Sequence, residues 1–355
     1  MSRFLNSRLN RLAPYVPGEQ PRNTTRLIKL NTNENPYPPG NKVKEALANA
    51  ACDQLRLYPD PDTTALIAAA AQVYGVKRSQ ILLGNGSDEL LAFCFQAFGE
   101  DGVAFPDISY GFYQVWAGLY GDIYTQIPLR SNLQIAVEDY EGQKGTVIIA
   151  NPNAPTGLAL PLSDIRFLLE QDKDRLVIVD EAYVDFNEEN ALTLLAEYDN
   201  LLIIRTLSKG YSLAGARIGL AIGSEAIIDD LRRIKFSFNP YNINRLSLLA
   251  GEAGLLDQEY FSQCRERVIA SRQRLQAALC EMGFTIPDSR ANFLFVGEHP
   301  QITAAEYYQA LREAGILVRY FSTPRIDNFV RISIGTEEDT EELINVTHTI
   351  LKGVQ

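Results

Sequence analysis

Two hydrophobic periods alternate along the middle of the chain. "QILLGNGSDELLAFCFQAF" is a short apolar run, a glycine turn and then a helical pattern. "TVIIANPNAPTG" predicts a strand over about 146–150 and a polar turn. "SDIRFLLEQD" predicts a helix that Ser163 or Asp164 can cap. "RLVIVDEAYVDF" predicts a strand ending near Asp180, "NLLIIRTLSK" another, and "IGLAIG" (218–223) one more. Strands separated by helical stretches need crossover connections, so the pattern predicts a mainly parallel central sheet with helices on both faces, an α/β fold. From about 225 to 282 the pattern is helical. From about 284 it changes to "FTIPDSRANFLFVG", a helix around "TAAEYYQALREAG", then "ILVRYF", "FVRISIG" and a closing helix from about Glu337, a smaller α+β segment. Upstream, helices fit "VKEALANAACDQ" and "TALIAAAAQVYG", and the first 40 residues, rich in Pro, Asn and Arg, predict an arm laid over something else. The expected division is an arm over 1–40, a large domain over 41–265 and a small α+β domain over 266–355.

Composition narrows the chemistry. The 355 residues are 46% hydrophobic and 22% charged, ordinary for a globular chain with a sizeable core. An apolar run long enough to span a membrane is absent, and "MSRFLNSRLNRLAPYVPGEQP" has no continuous apolar segment of the signal-peptide kind. A net charge of −11 argues against a nucleic-acid surface. Cys52, Cys94, Cys264 and Cys280 lack close-pair spacing, which predicts neither a metal site nor a disulfide framework and fits the reducing cytoplasm. With only His299 and His348 present, proton transfer is expected from Lys, Tyr or a carboxylate.

Candidate chemistry collects where strands end. In "LLIIRTLSKGYSLAGARIG" an apolar run leads to Lys209, and Arg217 follows eight residues later. Two cations beside a core need anions, an altered pKa or solvent. Asn151 and Asn153 follow one strand, Asp180 ends another with Tyr183 a turn further on, and Gly86-Ser87-Asp88 open a helix. Each has a plain reading: a lysine reaching water, an Asn-Pro turn, a capping aspartate, a tight glycine turn. Ligands of open parallel sheets bind beyond the carboxyl ends of the strands, which gives the set a common meaning. A helix start with free N–H groups seats a phosphate, and Ser208 and Arg217 can join it. Asp180 can pair with a protonated ring nitrogen, and the Lys209 amine can condense with an aldehyde. Phosphate, ring nitrogen and aldehyde together describe pyridoxal 5′-phosphate.

"NPNAPTG", "DEAYVDF", "TLSKGYSLAGARIG" and "FVRISIG" resemble the fold type I pyridoxal-phosphate-dependent aminotransferases. "LAPYVPG", "LNTNENPYP", "LYPDP" and "GNGSDE" are similar to the histidinol-phosphate aminotransferase branch, and the blocks occur in that family's order from about Leu12 to about Gly335. The resemblance implies transamination of histidinol phosphate with 2-oxoglutarate by a cytoplasmic homodimer, giving glutamate. It implies Lys209 as the reactive lysine and proton shuttle, Asp180 as the pyridinium partner, and Asn153 and Tyr183 as donors to the ring oxygen. It implies Gly86, Ser87, Asp88, Ser208 and Arg217 as the phosphate cup and Tyr110 as the stacked aromatic. Tyr58 is implied to reach the partner subunit's cofactor, and Tyr15 to act across the dimer on the substrate phosphate. Arg319 and Arg331 are implied to bind substrate anions. An aromatic amino-acid aminotransferase or a threonine-phosphate decarboxylase of the same fold shares most of these blocks. A non-catalytic relative and a Rossmann oxidoreductase are the alternatives outside that chemistry. Arg325, in "YFSTPRIDNF", has no role implied.

Overall fold

The structure, a computed structural model, describes all residues except 1, 2, 7, 8, 11, 16, 17, 21–26, 354 and 355. The N-terminal segment contributes a short strand, β1 (Ile28–Lys29), before α1 (Asn41–Ala48) and α2 (Thr64–Tyr74). The central sheet then forms from β2 (Ile81–Asn85), β3 (Val103–Pro106), β4 (Tyr124–Ile127), β5 (Thr146–Ala150), β6 (Val177–Asp180), β7 (Leu201–Thr206) and β8 (Ile218–Gly223), in the order β2-β8-β7-β6-β5-β3-β4. From β7 to β4 every pairing is parallel; β8 is antiparallel to both β2 and β7. The expected sheet is there, with this one reversal.

Successive residues of a strand point to opposite faces, and the two faces fill different cores. Leu83, Val147, Ile149, Val177, Val179, Leu201 and Ile203 pack with α2, α5 (Leu162–Gln171) and α7 (Arg245–Leu255). Leu82, Ile148, Ile178, Leu202 and Ile204 pack with α3 (Gly86–Phe98), α4 (Phe112–Tyr120) and α6 (Glu225–Phe238). Both faces are covered, which is why these strands read as unbroken apolar runs rather than as alternating ones.

A separate core lies along the 24-residue helix α8 (Gln258–Glu281). It joins Cys264, Val268, Leu275 and Leu279 to β9 (Phe293–Gly297), α9 (Ala304–Glu313), β10 (Ile316–Leu317), β12 (Phe329–Ser333) and α10 (Glu337–Gly353). Between β10 and β12 lies β11 (Arg319–Tyr320), and β11-β12-β9 make an antiparallel sheet. The N-terminal segment belongs to this core: β1 pairs with β10, and Leu30 and Tyr37 are buried in it.

Three local expectations are corrected. α5 starts from Pro161 without a side-chain cap, and the Leu162 N–H goes to Glu189 Oε2 at 3.3 Å instead of to Ser163 or Asp164. The helix expected through "VKEALANAACDQ" stops at Ala48, and Cys52–Arg56 form a separate turn without a buried residue. β3, β4 and α4 lie in a stretch where no element was expected: β3 has four residues, and the edge strand β4 exposes three of its four, so neither carries a period.

Beneath the sheet edge, Arg205 of β7 sits in the core and donates from Nε to Glu181 Oε2 at 2.8 Å, with Nη2 2.6 Å from the same oxygen. The other oxygen of Glu181 accepts the Ala191 N–H at 2.6 Å. Arg205→Leu leaves a buried carboxylate without its cation and is expected to destabilise the protein by about 3–5 kcal/mol. Arg205→Leu with Glu181→Leu should recover part of that loss; urea unfolding of the single and double variants measures it, and equal stabilities would contradict it.

Candidate active site

The carboxyl ends of β2, β5, β6 and β7 meet at one edge of the sheet. Because β8 is reversed, its amino end lies there too, directly after Arg217. α3 begins at Gly86, whose φ of +80° suits glycine, and a Cβ there would lie 2.5 Å from Arg217 Nη2. The Gly86 N–H donates to the Arg217 carbonyl at 3.0 Å, so the N–H groups of Ser87 and Asp88 are the ones that open the helix. Arg217, also left-handed at φ +54°, donates from Nη2 to Asp88 Oδ2 at 3.0 Å, and Tyr110 donates to Asp88 Oδ1 at 2.7 Å. Buried Ser208 receives a hydrogen bond from the Thr206 hydroxyl at 2.9 Å. Cation, helix start and hydroxyl thus form a cup suited to a phosphate.

Asp180 ends β6 and is 4% exposed. It accepts hydrogen bonds from the Tyr113 hydroxyl at 2.7 Å and the Ala182 N–H at 3.1 Å, and has no ion-pair partner among the described residues. Burial pushes its carboxyl up to about 6, against the opposing effect of those hydrogen bonds. A buried carboxylate with neutral donors alone is completed by a cation, and a protonated ring nitrogen is one.

Lys209 follows three residues after β7, partly buried, with its Nζ 3.3 Å from the Thr32 carbonyl and 5.8 Å from the centre of the Tyr183 ring. Burial, and after it the Arg331 charge, lower its amine to about 8. The Tyr183 hydroxyl accepts from Asn33 Nδ2 at 3.0 Å, which leaves its own hydrogen to donate outward. Asn153 is buried with both amide hydrogens engaged, at 2.9 Å on the Ile108 carbonyl and 3.3 Å on Thr156 Oγ1. Its expected donation to a ring oxygen would have to replace one of these.

Arg319 and Arg331 are cross-strand partners in β11 and β12. The Arg331 guanidinium lies 5.4 Å from the centre of the Phe293 ring, donates to the Asn31 carbonyl at 3.1 Å, and leaves a buried Nε–H without an acceptor. Burial and the neighbouring Arg319 charge lower its pKa. Two arginines side by side destabilise a strand pair unless an anion joins them.

The two tyrosines expected to act across a dimer are placed differently within the chain. Tyr15, which the resemblance assigned a role across the dimer, lies within this chain stacked on Phe112 at 4.3 Å and 6.5 Å from Tyr110. Tyr58 stays outside the cluster; it is 77% exposed, and its ring stacks on Tyr241 at 4.5 Å. Arg325 gains an account: its guanidinium pairs with Asp107 and donates to the Leu129 carbonyl at 2.7 Å, docking the loop before β12 onto the central sheet. Tyr113, Asn33, Ser109 and Thr206 went unnoticed in the sequence. They act by hydrogen bonds to named site residues, which no spacing reveals; Ser109, for instance, donates to Asn153 Oδ1 at 2.7 Å.

These donors fit pyridoxal 5′-phosphate: an anion cup, a carboxylate lacking its cation, and an amine held near neutrality at one edge. The comparisons with known proteins agree. The family Aminotransferase class I and II matches residues 25–346. The histidinol-phosphate aminotransferase of Clostridium acetobutylicum is 47% identical over 97% of this chain and 98% of its own. That of Pseudomonas putida is 48% identical over 97% of this chain and 99% of its own. The solved structure of histidinol-phosphate aminotransferase from Sinorhizobium meliloti in complex with pyridoxal-5′-phosphate shares the fold, with a TM-score of 0.83 at 24% identity over 92% of each chain.

The Asp180 environment has a consequence for the apoprotein. Its carboxyl titrates at an ordinary 3.8 when unfolded and at about 6 when folded, so between those values the folded state holds more protons. Stability therefore falls as pH rises through that window, by at most ~3 kcal/mol. Asp180→Asn removes this ionisation. The melting temperature of the apo variant, relative to the parent, should rise between about pH 4 and about pH 7. A difference that stays constant across that range would contradict the assigned environment.

Proposed function

This chain belongs to the class I and II aminotransferases, and we propose that it transfers the amino group of L-histidinol phosphate to 2-oxoglutarate, giving imidazole acetol phosphate and L-glutamate for histidine biosynthesis. The cofactor is pyridoxal 5′-phosphate, which when bound supplies an aldehyde that takes up the amino group and a ring that draws electrons from the substrate Cα. The N–H groups of Ser87 and Asp88, the Ser208 hydroxyl and the Arg217 guanidinium hold its phosphate, with Gly86 keeping the approach clear. Asp180 holds the ring nitrogen protonated by its charge. Tyr183 donates its free hydrogen, Asn153 borders the same side, and Tyr110 stacks. Lys209, lowered to about 8, carries a proton away from the substrate Cα and returns it.

The observation that carries the substrate reading is Arg331, beside Lys209, with Arg319 across the strand pair and an Nε–H without an acceptor. A guanidinium fork accepts phosphate or carboxylate, so one pair of arginines serves both substrates in turn. Tyr15 stands in the same aromatic wall and adds a hydroxyl. The similarity to enzymes named histidinol-phosphate aminotransferase supports this choice over the related activities.

We further infer a cytoplasmic homodimer in which Tyr58 serves the partner subunit's site. Exposed Leu55 and Leu57 near it in sequence, Tyr241 stacked on it, and Leu246 beside Arg245, which donates to the Tyr58 carbonyl at 3.0 Å, are apolar surface that a second copy would cover. We divide the chain into an arm (1–40), whose Leu30 and Tyr37 pack into the core of the small domain, a large cofactor domain (41–265) and a small domain (266–355), with α8 crossing the boundary. No helix among the described residues is long and apolar enough to cross a membrane, which suits this location.

Histidinol phosphate with 2-oxoglutarate should give the highest kcat/KM in a panel that includes phenylalanine and threonine phosphate. A preference for phenylalanine, or carbon dioxide released from threonine phosphate, would select one of the related activities instead. Arg331→Gln should slow both half-reactions by about 10²-fold or more. Tyr15→Phe should slow the histidinol phosphate half-reaction more than the glutamate one, and equal losses in single-turnover assays would reduce Tyr15 to a packing contact.

Mixing Tyr58→Phe chains with Lys209→Ala chains tests the shared site. Each hybrid should contain one unimpaired site, because the intact lysine of one chain meets the intact tyrosine of the other. Activity should therefore exceed that of both parents; hybrids no more active than the parents would refute the sharing.

A further inference from the structure

One acidic side chain close to Lys209 has no part in the chemistry above. Asp185 lies in the turn Val184–Phe186 that follows β6. Its carboxylate packs against the backbone of Gly210, the residue after Lys209. A Cβ at position 210 would fall 2.2 Å from Asp185 Oδ2, so the carboxylate can come this close only to glycine. From the opposite side, Asn35 Nδ2 donates to the carbonyls of Lys209 at 2.9 Å and Gly210 at 3.2 Å. The Asp185 backbone is anchored in turn, its carbonyl accepting Arg265 Nε of α8 at 2.5 Å.

The surroundings do not explain an acid there on charge alone. Arg205 acts on Asp185 from a distance but is ion-paired with Glu181, whose own charge opposes that of Asp185. Arg265 is the other cation whose charge reaches it, and Tyr74 and Tyr211 border the same space. Burial pushes the carboxyl up to about 6, so keeping it ionised has a cost that an apolar residue would avoid. The place of the carboxylate is set by fit: its oxygen sits where a side chain at position 210 would otherwise lie.

We propose that Asp185 is a positioning residue for Lys209. Its carboxylate and the Asn35 amide hold the Lys209–Gly210 segment from two sides, so that the lysine side chain enters the site from one direction. The proposal rests on the reading of Lys209 as the reacting lysine.

The test uses the apoprotein and the reconstituted enzyme. Cyanate labels lysine amines in proportion to their neutral fraction, and peptide mass spectrometry reads Lys209 alone as a function of pH. In Asp185→Ala the released lysine gains water, and its labelling midpoint should rise by about one pH unit or more. On reconstitution, kcat should fall by about 10²-fold with KM nearly unchanged, as expected for a misplaced reacting group. Asp185→Asn keeps the shape seated against Gly210 and should stay within about threefold of the parent in kcat, with its midpoint unmoved. A lower melting temperature in Asp185→Ala with the parent's labelling midpoint and kcat would overturn the proposal. Should Asp185→Ala fail to fold, Asn35→Ala loosens the same segment from the other side and should raise the midpoint too; an unmoved midpoint there overturns it. Borohydride reduction of the parent with pyridoxal 5′-phosphate separates the two readings. A label on a lysine other than Lys209 strikes the functional reading itself, whereas a label on Lys209 with unmoved midpoints strikes only the positioning role.

Discussion

Strand β8 runs against both of its neighbours, and the site hangs on that direction. A parallel β8 of six residues would start about 20 Å away, at the opposite edge of the sheet. Reversed, it starts where β2, β6 and β7 end, and sets Arg217 beside the opening turn of α3. The approach is close enough to dictate residue types. A Cβ at Gly219 would lie 2.4 Å from the backbone of Gly86 and Ser87, and Gly86 donates to the Arg217 carbonyl at 3.0 Å. The eleven-residue connection 207–217 between β7 and β8 then has to cross the same edge, and it carries Ser208 and Lys209 with it.

The charges at that edge are handled differently from those in the core beneath. Arg205 and Glu181 are buried together as a matched pair. A few ångströms along the chain, Asp180 is buried with neutral donors, Lys209 is lowered by burial and by a neighbouring cation, and Arg331 keeps an unused N–H. Each would be cheaper to bury if it were neutral or paired. A site assembled this way is complementary to a molecule that carries an anion, a cationic ring and an acceptor, and it gives up some stability of the apoprotein for that complementarity. The arm contributes to the same arrangement. Asn33 is bonded to both Tyr183 and Ser333, and the Asn31 carbonyl accepts from Arg331, so residues that look like a loose lead-in tie the small core to the site.

Among the site residues, those that were readable in the sequence share one property: each ends a strand or opens a helix at a motif with its own local logic. Lys209 follows "LLIIRTLS", Asp180 closes "LVIVD", and Gly86 to Asp88 sit between a strand and a helix. Tyr113 was not readable, because it looks like any aromatic on the buried face of α4 and only its 2.7 Å contact with Asp180 distinguishes it. Arg325 was conspicuous but had no assignable role, since its partners Asp107 and Leu129 are about two hundred residues away, just after β3 and β4 of the central sheet.

The sequence by itself determined the class of fold, because a doubly covered sheet demands apolar runs on its strands and polar residues at their ends, and both are written locally. It also determined most of the residues that collect at the edge. What only the tertiary structure decided is relative: the reversal of β8, the facing pair Arg319 and Arg331, the place of Tyr15 against its own chain's aromatic wall, and the grip of Asp185 and Asn35 on the lysine segment. Periodicity reports which way a side chain faces within its own element. Which element lies opposite, and in which direction it runs, is set by how the two faces of the sheet and the second core pack together, and that information is spread over contacts too distant in sequence for any local pattern to hold.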